Sequence, residues 1–420
     1  MSKFLYGIDF GTTNSALSIY DEEQQVIIDT IIIPSLIYFP VEQSAASNLN
    51  YVVGEAAIEA YINDGMKGRF IKSIKQILSR SSFIETRIHN KRYNASDLVA
   101  LILKDLKAKA DLITGEDCHK AIIGRPVFFD DDDTLKDTLA QTRLKKAAEL
   151  SGLTDVRFQF EPIGAAFAYE KTINKKEHVL VADLGGGTTD FTYLILDPAN
   201  VGSKDRKNDM IASGGIYIGG DSFDSAFMWD QGTPHFGKNT LYEATPGKIL
   251  TVPMSLFANI CTWDKMNFFN GLRIKKDLQD YYYYSKNDPK FKNLLTLIDN
   301  NLGYSIFQSI EKTKINLSKM QTSPFVYSKM DIRIKEEIAI DKYNNIIEKD
   351  LRKIKDYLEE FLSKNNIQPE NIDSLFITGG TSMVAAVQQL FRSRFPNVPV
   401  NSADNFTSVA KGLAYSGYLF

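Results

Sequence analysis

The chain has 420 residues, 44% of them hydrophobic, enough for two or more cores, since one core rarely grows beyond roughly 250–300 residues. A formal net charge of −3 leaves no basic field for nucleic acid, and no run approaches the roughly 18–20 apolar residues that span a bilayer. Cys118 and Cys261 stand far apart and His89, His119, His178 and His235 lack zinc-ligand spacing, so disulfide-framework and zinc-cluster classes are excluded. With no signal peptide in the opening residues, a cytoplasmic protein with neither nucleic-acid nor membrane partners is expected.

Three strand-like runs open the chain: Phe4–Phe10, Ser15–Tyr20 and Gln25–Ile33, the last ended by Pro34. The polar stretch Ser44–Asn50 predicts a loop. Asn94, with Asp97 three residues on, predicts a helix start of the capping-box kind. Leu98, Leu101, Ile102 and Leu106 then share one helical face. Ala121–Gly124 predicts a buried strand running into Arg125-Pro126. The acidic run Asp130–Asp133 precedes a helical pattern from Leu135 to Leu150, where it complements the helix dipole rather than binding a metal.

The second half opens the same way. Val179–Asp183, Asp190–Leu196 and Asp209–Ile216 are strand candidates, with a charged loop at Asn200–Asn208. The repeated opening argues for duplication of the fold, although few letters are shared. Residues 230–300 are the least readable, with four prolines and the run Tyr281–Tyr284. The aromatics there suit a core or a docking surface. A charged helix over Lys342–Lys364, a strand at Ser374–Thr378, a turn at Gly379-Gly380-Thr381 and a helix over Met383–Phe395 follow. The segment Ser408–Phe420 closes the chain.

Chemistry concentrates in two matched turns. Asp9-Phe10-Gly11-Thr12-Thr13-Asn14-Ser15 follows the first strand, and Asp183-Leu184-Gly185-Gly186-Gly187-Thr188-Thr189-Asp190 follows its counterpart. Glycine lets backbone N–H groups approach a phosphate and form an anion-binding concavity. Bare aspartate repels phosphate. Asp9 and Asp183 therefore make sense around magnesium, which keeps waters and takes one or two carboxylates with phosphate oxygens. Two such turns facing one cleft would hold a nucleotide's phosphates from both sides. The third turn, Gly379-Gly380-Thr381, suits either a nucleotide contact or a strand-to-helix turn without a ligand.

As an ordered set, these segments resemble the sugar kinase, actin and heat-shock chaperone ATPases. The nucleotide-binding domain of the seventy-kilodalton heat-shock chaperone family is the closest match. Both phosphate turns, Ser73-Ile74-Lys75, Gly124–Phe129, Glu161–Ala166, Ile218–Asp224, Ile310–Lys314 with Leu317-Ser318, and Gly379-Gly380-Thr381 carry the resemblance, which spans nearly the whole chain. The Gly-Arg-Pro form and the Phe-Glu-Pro-Ile-Gly-Ala-Ala stretch look most like the short YegD-type chaperone-like proteins.

The resemblance implies an α/β, two-lobed actin-like ATPase fold: duplicated ribonuclease-H-like domains with inserted subdomains around a nucleotide cleft. Lobe I would cover 1–173 with an insert at about 36–106, and lobe II 174–420 with an insert at about 219–301. It implies ATP or ADP with magnesium as cofactors, and slow ATP hydrolysis coupled to lobe closure. Lys75, or Lys72 if the local alignment slips, would orient the attacking water. Glu161 and Asp190 would position or polarise it, although Glu-Pro is also a structural helix start. Asp9 and Asp183 would anchor the cation through water. Gly11, Thr12, Thr13, Asn14, Gly185, Gly186, Gly187 and Thr188 would contact phosphates. Gly219, Gly220, Glu311, Lys314, Ser318, Gly379, Gly380 and Met383 would lie around the adenosine.

The sequence departs from the family at a few points. Met383 stands where many members stack an arginine on adenine, which removes a cation–π contact. Ile315 replaces a second such arginine, and Arg125 replaces an apolar residue before Pro126. Gly412-Leu413-Ala414 resembles the last helix of the nucleotide-binding domain, so no peptide-binding domain is expected. The alternative function is a non-catalytic, nucleotide-dependent module docking an unidentified protein partner. Actin-type filament formation and small-molecule kinase activity are further alternatives.

Overall fold

The computed structural model describes residues 2–41, 51–64, 67–129, 133–170, 172–201, 203, 206–262, 265, 268–269, 271–401 and 407–417. The expected loop at Ser44–Asn50 and most of the acidic run Asp130–Asp133 lie outside them. The chain forms two compact units. One comprises Met1–Tyr217, Asp356–Ser382 and Phe391–Phe420, the other Ile218–Lys355 and Met383–Leu390.

The first unit contains two five-stranded sheets. One is built from β1 (Phe4–Phe10), β2 (Asn14–Asp21), β3 (Val26–Pro34), β4 (Lys120–Arg125) and β5 (Asp155–Phe160). The other uses β6 (Glu177–Leu184), β7 (Thr189–Leu196), β8 (Met210–Ile216), β9 (Ser374–Thr378) and β10 (Val400–Asn401). The strand orders are the same, β3-β2-β1-β4-β5 and β8-β7-β6-β9-β10. In each sheet the first three strands are antiparallel and the last two run parallel to the first. This is a duplicated ribonuclease-H-like arrangement of α/β class. The central strands read as apolar runs because helices cover them, and Leu5, Ile8, Leu180 and Ala182 are fully buried.

Local rules explain the flanking helices. Ala95–Thr114 begins with a reciprocal capping box: Asp97 N–H donates to Asn94 Oδ1 at 3.0 Å, and Asn94 N–H to Asp97 Oδ2 at 2.9 Å. Leu98, Ile102 and Leu106 are buried as the spacing requires. Asp133 caps Thr134–Leu150 by accepting from Leu135 N–H at 2.9 Å, so this end of the acidic run serves a helix start. The Arg125 departure has a structural use. Its Nη2 donates to both Asp137 carboxylate oxygens at 2.8 and 2.9 Å and to the Val127 carbonyl at 3.0 Å, a charge-assisted tie after β4.

Helix Glu161–Glu170 crosses helix Ser408–Tyr415 at two glycines. A Cβ on Gly412 would stand 1.8 Å from the Gly164 carbonyl oxygen, so only glycine permits this approach. The crossing fixes the helix that carries Glu161 at its first position. Part of the predicted Asn200–Asn208 loop lies outside the described residues; within it, Arg206 is 3% exposed. Its guanidinium donates to Glu170 at 2.6 and 2.9 Å and also pairs with Asp209.

The second unit starts with helix Gly220–Phe227 and passes through a π-helical turn, Met228–Gly232. A hairpin of Leu241–Thr245 with Lys248–Thr251 follows, then helices Met254–Ile260, Leu272–Tyr284, Pro289–Asp299 and Gly303–Leu317. The tyrosine run is therefore helical. A second hairpin pairs Thr322–Lys329 with Ile332–Ala339. Helix Ile340–Lys364 begins two residues before the predicted start. After Ser374–Thr378, which matches its expected bounds, a 3-10 turn spans Gly380–Met383, and the following helix is Ala385–Arg394.

Candidate functional site

Both predicted phosphate turns join the first two strands of their sheets. The strand registers pair Asp9 with Ala16 and Asp183 with Asp190. The two hairpins are thus equivalent, but the second places an additional carboxylate opposite the first. Gly185 N–H donates to the Thr188 carbonyl at 2.9 Å and closes the second turn. Thr188 Oγ1 donates to Asp190 Oδ2 at 2.8 Å.

Each turn is braced from outside by a hydroxyl that the sequence did not reveal. Ser35, after β3, donates to the Gly11 carbonyl at 2.8 Å, and its N–H donates to the Thr13 carbonyl at 2.8 Å. Thr381 donates from Oγ1 to the Gly185 carbonyl at 2.7 Å. The third glycine turn therefore supports the second phosphate turn. Gly379 has φ +83°, and a Cβ there would stand 2.3 Å from the Leu184 carbonyl oxygen.

The two turns approach one another. A Cβ on Gly187 would lie 4.0 Å from Thr12 Cγ2. Thr13 Oγ1 is buried without a hydrogen-bond partner. Lys75, on the 3-10 turn Ile74–Ile77, donates to Glu161 Oε1 at 2.8 Å. Burial works against its charge, but Glu161, Asp9 and Asp183 outweigh that and raise its pKa. Gly215, paired with Asp190 across β7 and β8, is another residue sequence reading missed. A Cβ there would meet Asp190 Oδ1 at 2.2 Å.

Asp9, Asp183 and Asp190 keep partly exposed surfaces within a deep cluster. Burial, then the neighbouring Glu161 charge, pushes the Asp9 carboxyl up to about 8. Burial and Glu161 also raise Asp183 to about 6, and burial with the facing Asp183 raises Asp190 to about 7. Four carboxylates around one ammonium leave the cluster short of positive charge. Hard oxygen donors of this kind suit magnesium, and the unpartnered Thr13 hydroxyl suits a ligand oxygen. Among the described residues, no group of three or more His, Cys, Asp or Glu side chains is arranged to hold a metal by itself.

The residues expected around adenosine divide between the units. Gly379 and Gly380 belong to the first. In the second, Gly219 and Gly220 open helix Gly220–Phe227, and Glu311 and Lys314 lie on helix Gly303–Leu317 with Ser318 at its end. Lys314 donates to Asp224, with contacts of 2.8 and 3.0 Å to its two oxygens. Ser318 Oγ donates back to the Lys314 carbonyl at 3.2 Å. Met383 is 39% exposed and Ile315 51% exposed.

Two ribonuclease-H-like sheets, each ending its first hairpin in an aspartate-led glycine turn, define the actin-like ATPase fold. The family model described as Hsp70 protein matches residues 5–240 and 288–419, and the chain belongs to the Hsp70 family. Chaperone protein DnaK of Thermotoga petrophila is 26% identical over 426 residues, covering 98% of this chain and 59% of that protein. Chaperone protein DnaK of Ureaplasma urealyticum serovar 10 is 25% identical over 428 residues, covering 99% of this chain and 58% of its own. The chain thus spans about three-fifths of the length of these curated relatives. No helix among the described residues is long and apolar enough to cross a membrane.

Proposed function

We propose that the chain binds ATP or ADP with magnesium and hydrolyses ATP slowly. The observation that carries this reading is the approach of the two turns, with Thr12 Cγ2 4.0 Å from the place of a Gly187 side chain, beside four carboxylates and Lys75. Backbone N–H groups of Gly11–Thr13 and Gly185–Thr188 would cradle the β- and γ-phosphates, with Asn14 at the edge of the first turn. Asp9 and Asp183 would hold a hydrated magnesium, which when bound offsets phosphate charge. That cation would also offset the burial and the neighbouring Glu161 charge that raise these carboxyls.

Phosphoryl transfer is mostly positioning and charge stabilisation. Lys75, held by Glu161, would orient the attacking water and face the developing γ-phosphate charge. Asp190 would accept a hydrogen bond from that water, and its raised pKa suits proton transfer near neutrality. Thr188 would steer Asp190 through their hydrogen bond. Glu311, Lys314 and Ser318, with Gly219, Gly220, Gly379, Gly380 and Met383, would bind the adenosine. An apolar Met383 predicts weaker discrimination for adenine than a stacked arginine gives.

Phosphates gripped by both hairpins would favour closure of lobes 1–173 and 174–420, so nucleotide would act as a conformational signal. The reading is chaperone-like by kinship with the DnaK proteins, with an unidentified protein partner. Two buried free thiols, Cys118 and Cys261, suit a reducing cytoplasm. Phosphate release is the test. Magnesium-dependent release by wild type, lost in Lys75→Ala, is expected; equal rates in the two proteins overturn the assigned mechanism.

A further inference from the structure

We propose that Gln76 is a direct contact of the terminal phosphate, a neutral donor set beside the cationic Lys75. This rests on the phosphate-site reading above. The Gln76 Nε2 atom stands 2.7 Å from the point where a Cβ on Gly187 would lie, and Thr12 Cγ2 is 4.0 Å from the same point. One carboxamide therefore lies where the two phosphate turns come together. Gly187 leaves the space that the amide fills.

The turn that carries Gln76 is held firmly. Ile74 and Leu78 are buried at its ends. Gln76 N–H donates to the Ser73 carbonyl at 3.1 Å, and Ser73 is in the left-handed region with φ 57°. Arg143 donates to the carbonyls of Ile77, Leu78, Arg80 and Phe83 at 2.9–3.1 Å. The neighbouring Lys75 is pinned to Glu161. Such a support fixes the backbone from which the Gln76 side chain reaches.

The chemistry suits a phosphate oxygen. A carboxamide NH2 supplies two donors and no charge. It strengthens phosphate binding without adding a second cation next to Lys75. Its carbonyl can at the same time accept from water, so Gln76 would place both the γ-phosphate and the nearby solvent. Because ADP lacks the γ-phosphate, this contact should separate the two nucleotides.

Calorimetric titration of the full chain with ATP and with ADP, each with magnesium, tests this in wild type, Gln76→Ala and the near-isosteric Gln76→Met. Both variants should lose about tenfold in ATP affinity, the usual worth of one hydrogen bond to a charged group, and less than about twofold in ADP affinity. Gln76→Glu should lose more for ATP, through charge repulsion. An unchanged ATP-to-ADP affinity ratio in the variants overturns the role of Gln76 and leaves the phosphate site standing. Wild type that binds neither nucleotide overturns the underlying site reading. Thermal unfolding without nucleotide identifies any variant that fails to fold, and the remaining variants then decide.

Discussion

Lys75 and Glu161 meet at 2.8 Å, with side chains only 16% and 10% exposed. The pair joins a 3-10 turn to the first residue of a helix, and places one positive charge among Asp9, Asp183 and Asp190. Lys75→Ala removes the only side-chain cation assigned to the γ-phosphate. The expected loss in phosphate-release rate is about a hundredfold or more. Magnesium–ATP binding should survive with a smaller loss. Steady-state release and calorimetry together check both outcomes.

The carboxylate cluster makes stability depend on pH. In the folded protein Asp9 rises from 3.8 to about 8 and Asp190 to about 7. A carboxyl whose folded pKa exceeds its unfolded value stabilises the fold below the unfolded pKa. That contribution is lost as pH rises through the folded pKa. Nucleotide-free protein should therefore lose stability between about pH 4 and pH 8, and Asp9→Asn should flatten that fall. Magnesium–ATP binding at neutral pH should release on the order of one proton. Urea unfolding across pH, and calorimetry in buffers of different ionisation enthalpy, measure the two effects.

The paired braces predict matched losses. Thr381→Val and Ser35→Ala each leave a turn carbonyl without its hydroxyl, which costs about 1–2 kcal/mol of stability. Neither side chain is assigned to the ligand. Both variants should still weaken ATP binding, because the amides they steady would drift. A variant that loses stability while keeping full nucleotide affinity contradicts the bracing role.

Gly379→Ala tests the third turn. A side chain at φ +83° is strained, and its Cβ would meet the Leu184 carbonyl oxygen at 2.3 Å. A loss of about 2 kcal/mol or more is expected in urea unfolding. Thr381→Val in the same background should add less than its own full effect, because Gly379 abuts the Leu184 carbonyl and Thr381 holds the adjacent Gly185 carbonyl.

Much of the fold can be read directly from the residues. The opening strands of each half, the turns between them and the Asn94 cap depend on neighbours in sequence, and these appear close to their expected bounds. The braces depend on distant ones: Ser35 and Thr381 are ordinary hydroxyls until the chain brings them to Gly11 and Gly185. The hairpin Thr322–Lys329 with Ile332–Ala339 alternates buried and exposed residues, but Pro324 argues against a strand unless it lies on an edge. Tyr281–Tyr284 carries strand propensity and is helical, with Tyr281 packed on Tyr242 at 4.8 Å. Tertiary contact overrides propensity there. Gln76 had no signal of its own, because its reach to Gly187 exists only after both turns are in place.

A crystal structure with magnesium and a non-hydrolysable ATP analogue decides whether the two glycine turns share one ligand. One triphosphate is expected within hydrogen-bond distance of backbone N–H groups from both Gly11–Thr13 and Gly185–Thr188, with the cation beside Asp9 and Asp183. A triphosphate bound to one turn alone, or bound elsewhere in the protein, contradicts a shared site.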